Sequence, residues 1–89
     1  MPQAVVDPEE LREFARALKK FNTDLRDRAR ALANQLTALT ATWRDQEQKK
    51  FAAQFEEGMK MVHRFLENND RHVPYLLRKA EYIDEYLKS

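Results

Sequence analysis

The residues of this chain most able to do chemistry are two histidines and a few pairs of neighbouring acids. Glu67 follows His63 by four residues, which would place both on one helical face, but two ligands make a poor zinc site. His72 has no such companion. The pairs Glu56-Glu57 and Asp84-Glu85 lie among polar residues, where nothing apolar would shift a pKa for acid–base work. We therefore predict that the protein is not an enzyme and has no metal site and no cofactor.

Composition favours helices over any other architecture. The chain has 89 residues, enough for one domain spanning residues 1–89, with one glycine, three prolines and no cysteine. Charged residues make up 35% and apolar residues 43%, a balance typical of long surface helices. We predict an all-α fold without strands or disulfides.

The charge balance bears on partners and location. A net charge of +1 attracts neither nucleic acid nor an anionic membrane, and no apolar run approaches a membrane span. No charged-then-apolar leader is visible, so we expect a protein that is cytoplasmic or secreted without a cleavable signal peptide. A basic surface for nucleic acid is a lesser alternative that would use Arg26, Arg28, Arg30, Lys49 and Lys50.

Strong start signals open the first helix. Asp7 can cap free backbone N–H groups, and Pro8 suits the first helical position because its missing N–H costs nothing there. Glu10 stands at the third helical position, from which it can reach back to the cap. These signals predict a helix over residues 8–40.

The core face of this helix is a leucine repeat. Leucine recurs every seven residues over five repeats, and Phe14 and Phe21 fill the interleaved positions at its start. This second row is not sustained, which favours one face of a bundle over a zipper. The predicted core or dimer positions are Leu11, Phe14, Leu18, Phe21, Leu25, Leu32 and Leu36.

The middle of the chain predicts an elbow at residues 41–45, where helical spacing is interrupted without glycine or proline. Trp43 is the only tryptophan, and its ring would wedge between the arms or, alternatively, serve as an exposed anchor for a partner. Two caps are open for the next helix: Asp45 with Gln48, or Thr42 with Asp45 one turn earlier.

The second arm is predicted over residues 46–87. Its core or dimer positions alternate at spacings of four and three residues, starting with Phe51, Phe55, Met59, Val62 and Leu66. The same phase persists beyond Pro74, although a proline inside a helix removes a backbone hydrogen bond. A broken helix would usually restart out of phase, so we predict one helix kinked near Pro74.

Pairing the arms outward from the elbow predicts their register. Leu25 would lie opposite Val62, and Leu11 opposite Leu76. The segment from Lys79 onward would then overhang the start of the first helix, and its removal should spare the fold.

Two helices cannot cover every apolar side chain in this pattern. The aromatic residues would leave a wide strip in contact with water. A hairpin of this size usually gains stability by joining another hairpin in a four-helix bundle. We predict a dimer, most simply a two-fold homodimer, with a heterodimer as the alternative.

The Trp43-Arg44-Asp45 turn, set between two long arms, resembles the motif of a known family. That family is the WXG family of bacterial type VII secretion substrates. The tryptophan matches, and Asp45 stands in place of the family's glycine, where it can serve the turn by capping the second helix. The resemblance implies a helical hairpin that pairs into a four-helix bundle and interacts with other proteins.

The same resemblance raises the question of export. Substrates of this pathway often carry Tyr-x-x-x-Asp/Glu after the second helix. In this sequence Tyr75 is followed four residues later by Lys79, and Tyr82 by Tyr86, so no copy is present. A partner chain would have to supply the signal, or the protein acts inside the cell as an adaptor or chaperone that binds partner helices.

Overall fold

Two antiparallel helices joined by a short elbow make up the structure. The computed structural model describes residues 6–88, with α1 at Pro8–Leu39 and α2 at Gln46–Lys88. The hairpin measures 66 × 21 × 16 Å, so its length is close to that of α2 at about 1.5 Å per residue. The prediction of an all-α helical hairpin is confirmed.

The start of α1 is fixed by hydrogen bonds to Asp7. The N–H of Glu9 donates to Asp7 Oδ1 at 2.9 Å, and the N–H of Leu11 donates to the Asp7 carbonyl at 3.1 Å. Pro8 follows the cap, and Glu9 and Glu10 lie in the first turn, where their charges favour the positive end of the helix dipole. Asp7 and Pro8 therefore form an ordinary helix start, and the contact of Glu10 back to the cap stays a prediction.

Helix α2 continues through Pro74 as a single element, as the unbroken apolar phase predicted. Pro74 removes one backbone hydrogen bond, yet Val73 and Leu76 on either side of it remain half-buried against α1. Packing of these flanking residues therefore outweighs the local cost of the proline. The kink itself remains a prediction.

The seam between the helices is narrow. Among residues 6–88 the buried positions are Ala15, Asn22, Gln48, Leu66, Asn69 and Ala80. Of the predicted core residues, the half-buried ones beside this line are Leu11, Leu18, Leu25, Leu36, Phe55, Met59 and Val62. The core is thus one row of contacts, built largely from small and polar side chains.

Phe14 and Phe21, predicted as core or dimer positions, do not lie in the seam between the two helices, and their place in a dimer interface stays a prediction. Ala15 and Asn22 occupy the second row of the α1 seam, one position later, and both phenylalanines are exposed. Leu32 and Phe51 are exposed as well. Small side chains let the helix backbones approach closely, so the bulky residues beside them are displaced to the flank of the hairpin.

The predicted register is also wrong. Asn69 Nδ2 donates to Asn22 Oδ1 at 3.0 Å, so these two residues face each other. Pairing Leu25 with Val62 would instead have placed Phe65 opposite Asn22, four residues earlier. The observed arms differ from the predicted pairing by about one helical turn, or about 6 Å.

This shift brings the end of α2 into the core. Ala80 is 0% exposed, and Arg12 of α1 forms an ion pair with Asp84. The hydrogen bond to Asp84 raises the pKa of Arg12 above its ordinary value, so the guanidinium stays charged throughout the usual pH range. The expected overhang from Lys79 is therefore wrong, because the chain remains packed to about Asp84.

Truncation distinguishes the packed part of the tail from its exposed tip. Removing residues 80–89 deletes the Ala80 contact and the partner of Arg12, which we expect to cost about 2 kcal/mol. That cost corresponds to a drop in Tm of about 8–16 °C in circular dichroism melting. Removing only residues 86–89, which begins at the exposed Tyr86 and Leu87, should change Tm little. Equal melting of the two truncated chains would contradict the packed tail.

Candidate interaction surface

Trp43 anchors the elbow through a row of aromatic rings. Its ring centroid lies 5.9 Å from that of Phe51, and the Phe51 ring lies 6.3 Å from that of Phe55. The backbone N–H of Trp43 donates to the Leu39 carbonyl at 3.0 Å. Trp43 remains half-buried, so its ring packs on α2 while part of it is still available at the surface.

Arg44 closes the end of α1. Its Nε donates to the Thr40 carbonyl at 3.3 Å, and its Nη2 donates to the Ala41 carbonyl at 2.9 Å. A helix leaves its last carbonyls without intrahelical partners, and a cation at that end also interacts favourably with the helix dipole. Arg44 therefore satisfies the two carbonyls just beyond α1 and places a positive charge at the negative end of its dipole.

Asp45 opens α2. Its Oδ1 accepts from the N–H of Gln48 at 3.0 Å, whereas the Thr42 hydroxyl donates back to the Leu39 carbonyl at 3.3 Å. The cap is therefore Asp45 with Gln48, and Thr42 belongs to the end of α1. No residue among 6–88 has a positive φ, so this turn needs no glycine.

One side of the hairpin is apolar and exposed. Phe21 and Phe65 meet edge to face with ring centroids 6.2 Å apart, which places the exposed apolar rows of both helices on the same side. Spacings of seven and eleven residues keep the α1 row on one face. We call this surface the aromatic flank; its members are Phe14, Phe21, Leu32, Leu39, Phe51 and Phe65.

The other side of the hairpin is polar. Arg26 pairs with Asp70 there, and Arg30 lies 3.7 Å from Asp27. These carboxylates offset the basic cluster that a nucleic-acid site would need. Near the elbow this side carries a groove of about 620 Å³, whose walls include Ala29, Ala33, Leu36, Phe55, Met59 and Leu66.

The residues considered for chemistry remain scattered. His63 lines the polar-side groove with Glu56, while His72 is exposed farther along α2. Within residues 6–88 no three potential metal ligands come together. Neither helix of the described chain is apolar enough over eighteen residues to cross a bilayer.

Comparison with protein families places most of the chain in one family. Residues 3–84 match the family model WXG100, described as proteins of 100 residues with WXG. The chain belongs to the WXG100 family. Proteins of this family are helical hairpins and type VII secretion substrates, typically dimeric, and are not known as enzymes. No curated protein and no solved structure matches the chain.

Two features of this WXG100 protein escaped the sequence reasoning. The capping role of Arg44 has a signal, since a basic residue just beyond a helix end is a common partner for its carbonyls. The seam positions of Ala15 and Asn22 have a weaker one: both recur at the seven-residue spacing of the leucines, four residues after Leu11 and Leu18. The row of Ala15 and Asn22 was missed because large apolar residues were expected at the seam.

Substitution of Asp45 tests how a WXG100 turn works without its glycine. Asp45→Ala removes the carboxylate that accepts from Gln48, and we expect a loss of about 1 kcal/mol in urea unfolding. Asp45→Gly, which restores the family residue, should cost only a few tenths of a kcal/mol because glycine is tolerated at a cap. A glycine variant as unstable as the alanine variant would contradict this account.

Proposed function

We propose that this WXG100 hairpin is a dimeric, non-enzymatic secretion substrate or effector whose subunits pack through the aromatic flank. The observation that supports this most is the row of exposed phenylalanine and leucine side chains on one side of the molecule. Monomeric proteins rarely expose a contiguous apolar strip of this kind, and such strips mark protein contacts. A second hairpin laid against the strip would complete a four-helix bundle.

Burial of the flank contributes substantially to association. Full burial of a phenylalanine is worth about 1.5–3 kcal/mol, so burying the exposed half contributes about 1 kcal/mol. Four phenylalanines in each of two copies then give on the order of 8 kcal/mol, within the roughly 4–15 kcal/mol that association costs. The leucines at positions 32 and 39 must add to this sum, which predicts that the whole flank is used rather than one end.

Charge does not oppose the pairing of two identical copies. Each chain carries a formal net charge of +1, and the interhelix ion pairs of Arg12 and Arg26 lie on the polar side. Two aromatic flanks therefore approach without a strong like-charge field between them. A homodimer is the simplest assembly of this surface, and a heterodimer with a related hairpin uses the same flank.

Lysine substitution on the flank tests the dimer. Phe21→Lys breaks the contact with Phe65 and places a charge in the proposed interface, twice per dimer by symmetry. We expect the dimer dissociation constant, measured by sedimentation equilibrium, to rise at least about a hundredfold, while helicity is retained.

The matched control is Tyr75→Lys. Tyr75 is half-exposed and aromatic like Phe21, but it lies in α2 and is not part of the aromatic flank. It should leave the dissociation constant unchanged. A parent chain that is monomeric at micromolar concentration, or a control that dissociates as readily as Phe21→Lys, would contradict the proposed interface.

Export is the second part of the proposal. The sequence carries no Tyr-x-x-x-Asp/Glu, since Tyr82 is followed four residues later by Tyr86. We infer that a partner hairpin supplies this signal and that the pair is exported together. Tyr86 is exposed at the end of α2, so altering it should leave the fold intact.

Creation of the missing signal tests this dependence. Tyr86→Asp completes the spacing from Tyr82, and the variant should appear in the culture supernatant of a type VII-competent strain without a partner chain. Tyr86→Ala is the control and should not. Abundant export of the unaltered chain expressed alone would show that no partner signal is needed.

The polar-side groove favours a second candidate, an adaptor that binds an amphipathic helix. Its walls combine Leu36, Phe55 and Met59 with small alanines, which suits a helix laid between the arms. This function uses the side opposite the aromatic flank. A partner captured equally well by the parent and by Phe21→Lys would favour the adaptor over the dimeric substrate.

A further inference from the structure

Two asparagines meet in the middle of the seam, where apolar residues are expected. Asn22 is 1% exposed and Asn69 is 7% exposed. Asn69 Nδ2 donates to Asn22 Oδ1 at 3.0 Å, and Asn22 Nδ2 donates to Asp70 Oδ1 at 3.1 Å. Asp70 Oδ2 in turn accepts from Arg26. A hydrogen-bonded chain therefore runs from the buried seam to the surface.

This chain satisfies its buried members. No buried side-chain nitrogen or oxygen in residues 6–88 lacks a hydrogen-bond partner. Buried amides carry a large desolvation cost when unpaired and a small net gain when paired. The asparagines therefore do little for stability compared with leucines, but they penalise any arrangement that separates them.

The apolar pattern permits such an arrangement. Sliding α2 by four residues, about one helical turn, places Leu25 opposite Val62 and Leu11 opposite Leu76, so apolar side chains still meet across the seam. Asn22 would then face Phe65, and Asn69 would face Leu18. In that register both amides are buried without each other.

The elbow contains a cap for the same alternative. Moving the turn about two residues toward the N-terminus shortens α1 by two residues and lengthens α2 by two. Each α1 residue then faces the α2 residue four positions earlier in the sequence. Thr42 with Asp45 has the spacing of a helix cap one turn before the observed cap at Asp45. The alternative register therefore has apolar contacts and a cap of its own.

We propose that the hydrogen-bonded pair Asn22–Asn69 selects the register of the hairpin and thereby the alignment of its aromatic flank. A single buried asparagine is known to fix register in coiled coils at a cost in stability. In this hairpin the pair acts between two arms of one chain. It excludes a neighbouring register one turn away, in which Phe65 is displaced by about 6 Å along the hairpin relative to Phe21.

Spin-label distances measure the register directly. The chain has no cysteine, so Glu13→Cys and Lys50→Cys introduce the only two labels, both at exposed positions outside the aromatic flank. In the observed register residue 78 lies opposite residue 13, and the labels are about 42 Å apart along the hairpin. In the neighbouring register the separation falls to about 36 Å. Dilution with unlabelled protein removes distances between subunits.

The decisive variant is Asn22→Leu with Asn69→Leu. The parent should show one distance near 42 Å, and the double variant a second population about 6 Å shorter. The matched control is Asn34→Leu with Asn68→Leu, the same change at exposed positions on the same helices, which should keep the single long distance. A single long distance in the Asn22/Asn69 double variant would overturn the proposal.

A second substitution keeps the test decisive. Thr42→Ala removes the hydroxyl that the alternative cap needs and leaves the observed cap at Asp45 in place, so in the double-leucine background it should move the population back toward the long distance. In the parent background the asparagine pair should hold the long distance. If the leucine pair does not fold, Asn22→Ala with Asn69→Ala is measured in the same way, and a single long distance there would also overturn the proposal.

Discussion

The hydrogen bond between Asn22 and Asn69 is the constraint on which the rest of this hairpin depends. It lies midway along a seam whose other buried members are Ala15, Gln48, Leu66 and Ala80, so the helices approach closely there. That alignment brings Ala80 into the core and Asp84 to Arg12. A wider seam built from phenylalanine would have left both ends of the hairpin free to slide.

A narrow seam also divides the surface into two unlike sides. Because Ala15 and Asn22 occupy the contact row, Phe14 and Phe21 are displaced to one flank, where Phe21 meets Phe65. Arg12 and Arg26 lie on the polar side, where they form ion pairs with Asp84 and Asp70 of α2. The same residues that hold the hairpin together therefore leave its association surface exposed, which links internal packing to pairing with a second chain.

Sequence reasoning predicted the helices because their signals are local. Each signal depends on residues that are close together in the sequence: the Asp7-Pro8 start, the spacing between successive leucines, and the interruption at Trp43. Register is different, since shifting α2 by four residues returns nearly the same apolar pattern. Polar pairs across the seam distinguish the alignments, above all the buried pair Asn22 and Asn69, and apolar spacing alone does not reveal them.

The elbow explains how a WXG100 chain dispenses with the glycine of its motif. A turn between antiparallel helices must satisfy the last carbonyls of one helix and the first N–H groups of the next. Backbone N–H groups of residues 40–43 donate to the last carbonyls of α1, and Arg44 donates to the next two, those of Thr40 and Ala41. Asp45 accepts from the N–H of Gln48, while the backbone stays at negative φ. Glycine adopts backbone conformations that other residues avoid. This turn instead uses the hydrogen bonds of two oppositely charged side chains, Arg44 and Asp45. Trp43 packs against Phe51, so its contact does not depend on a glycine two residues later.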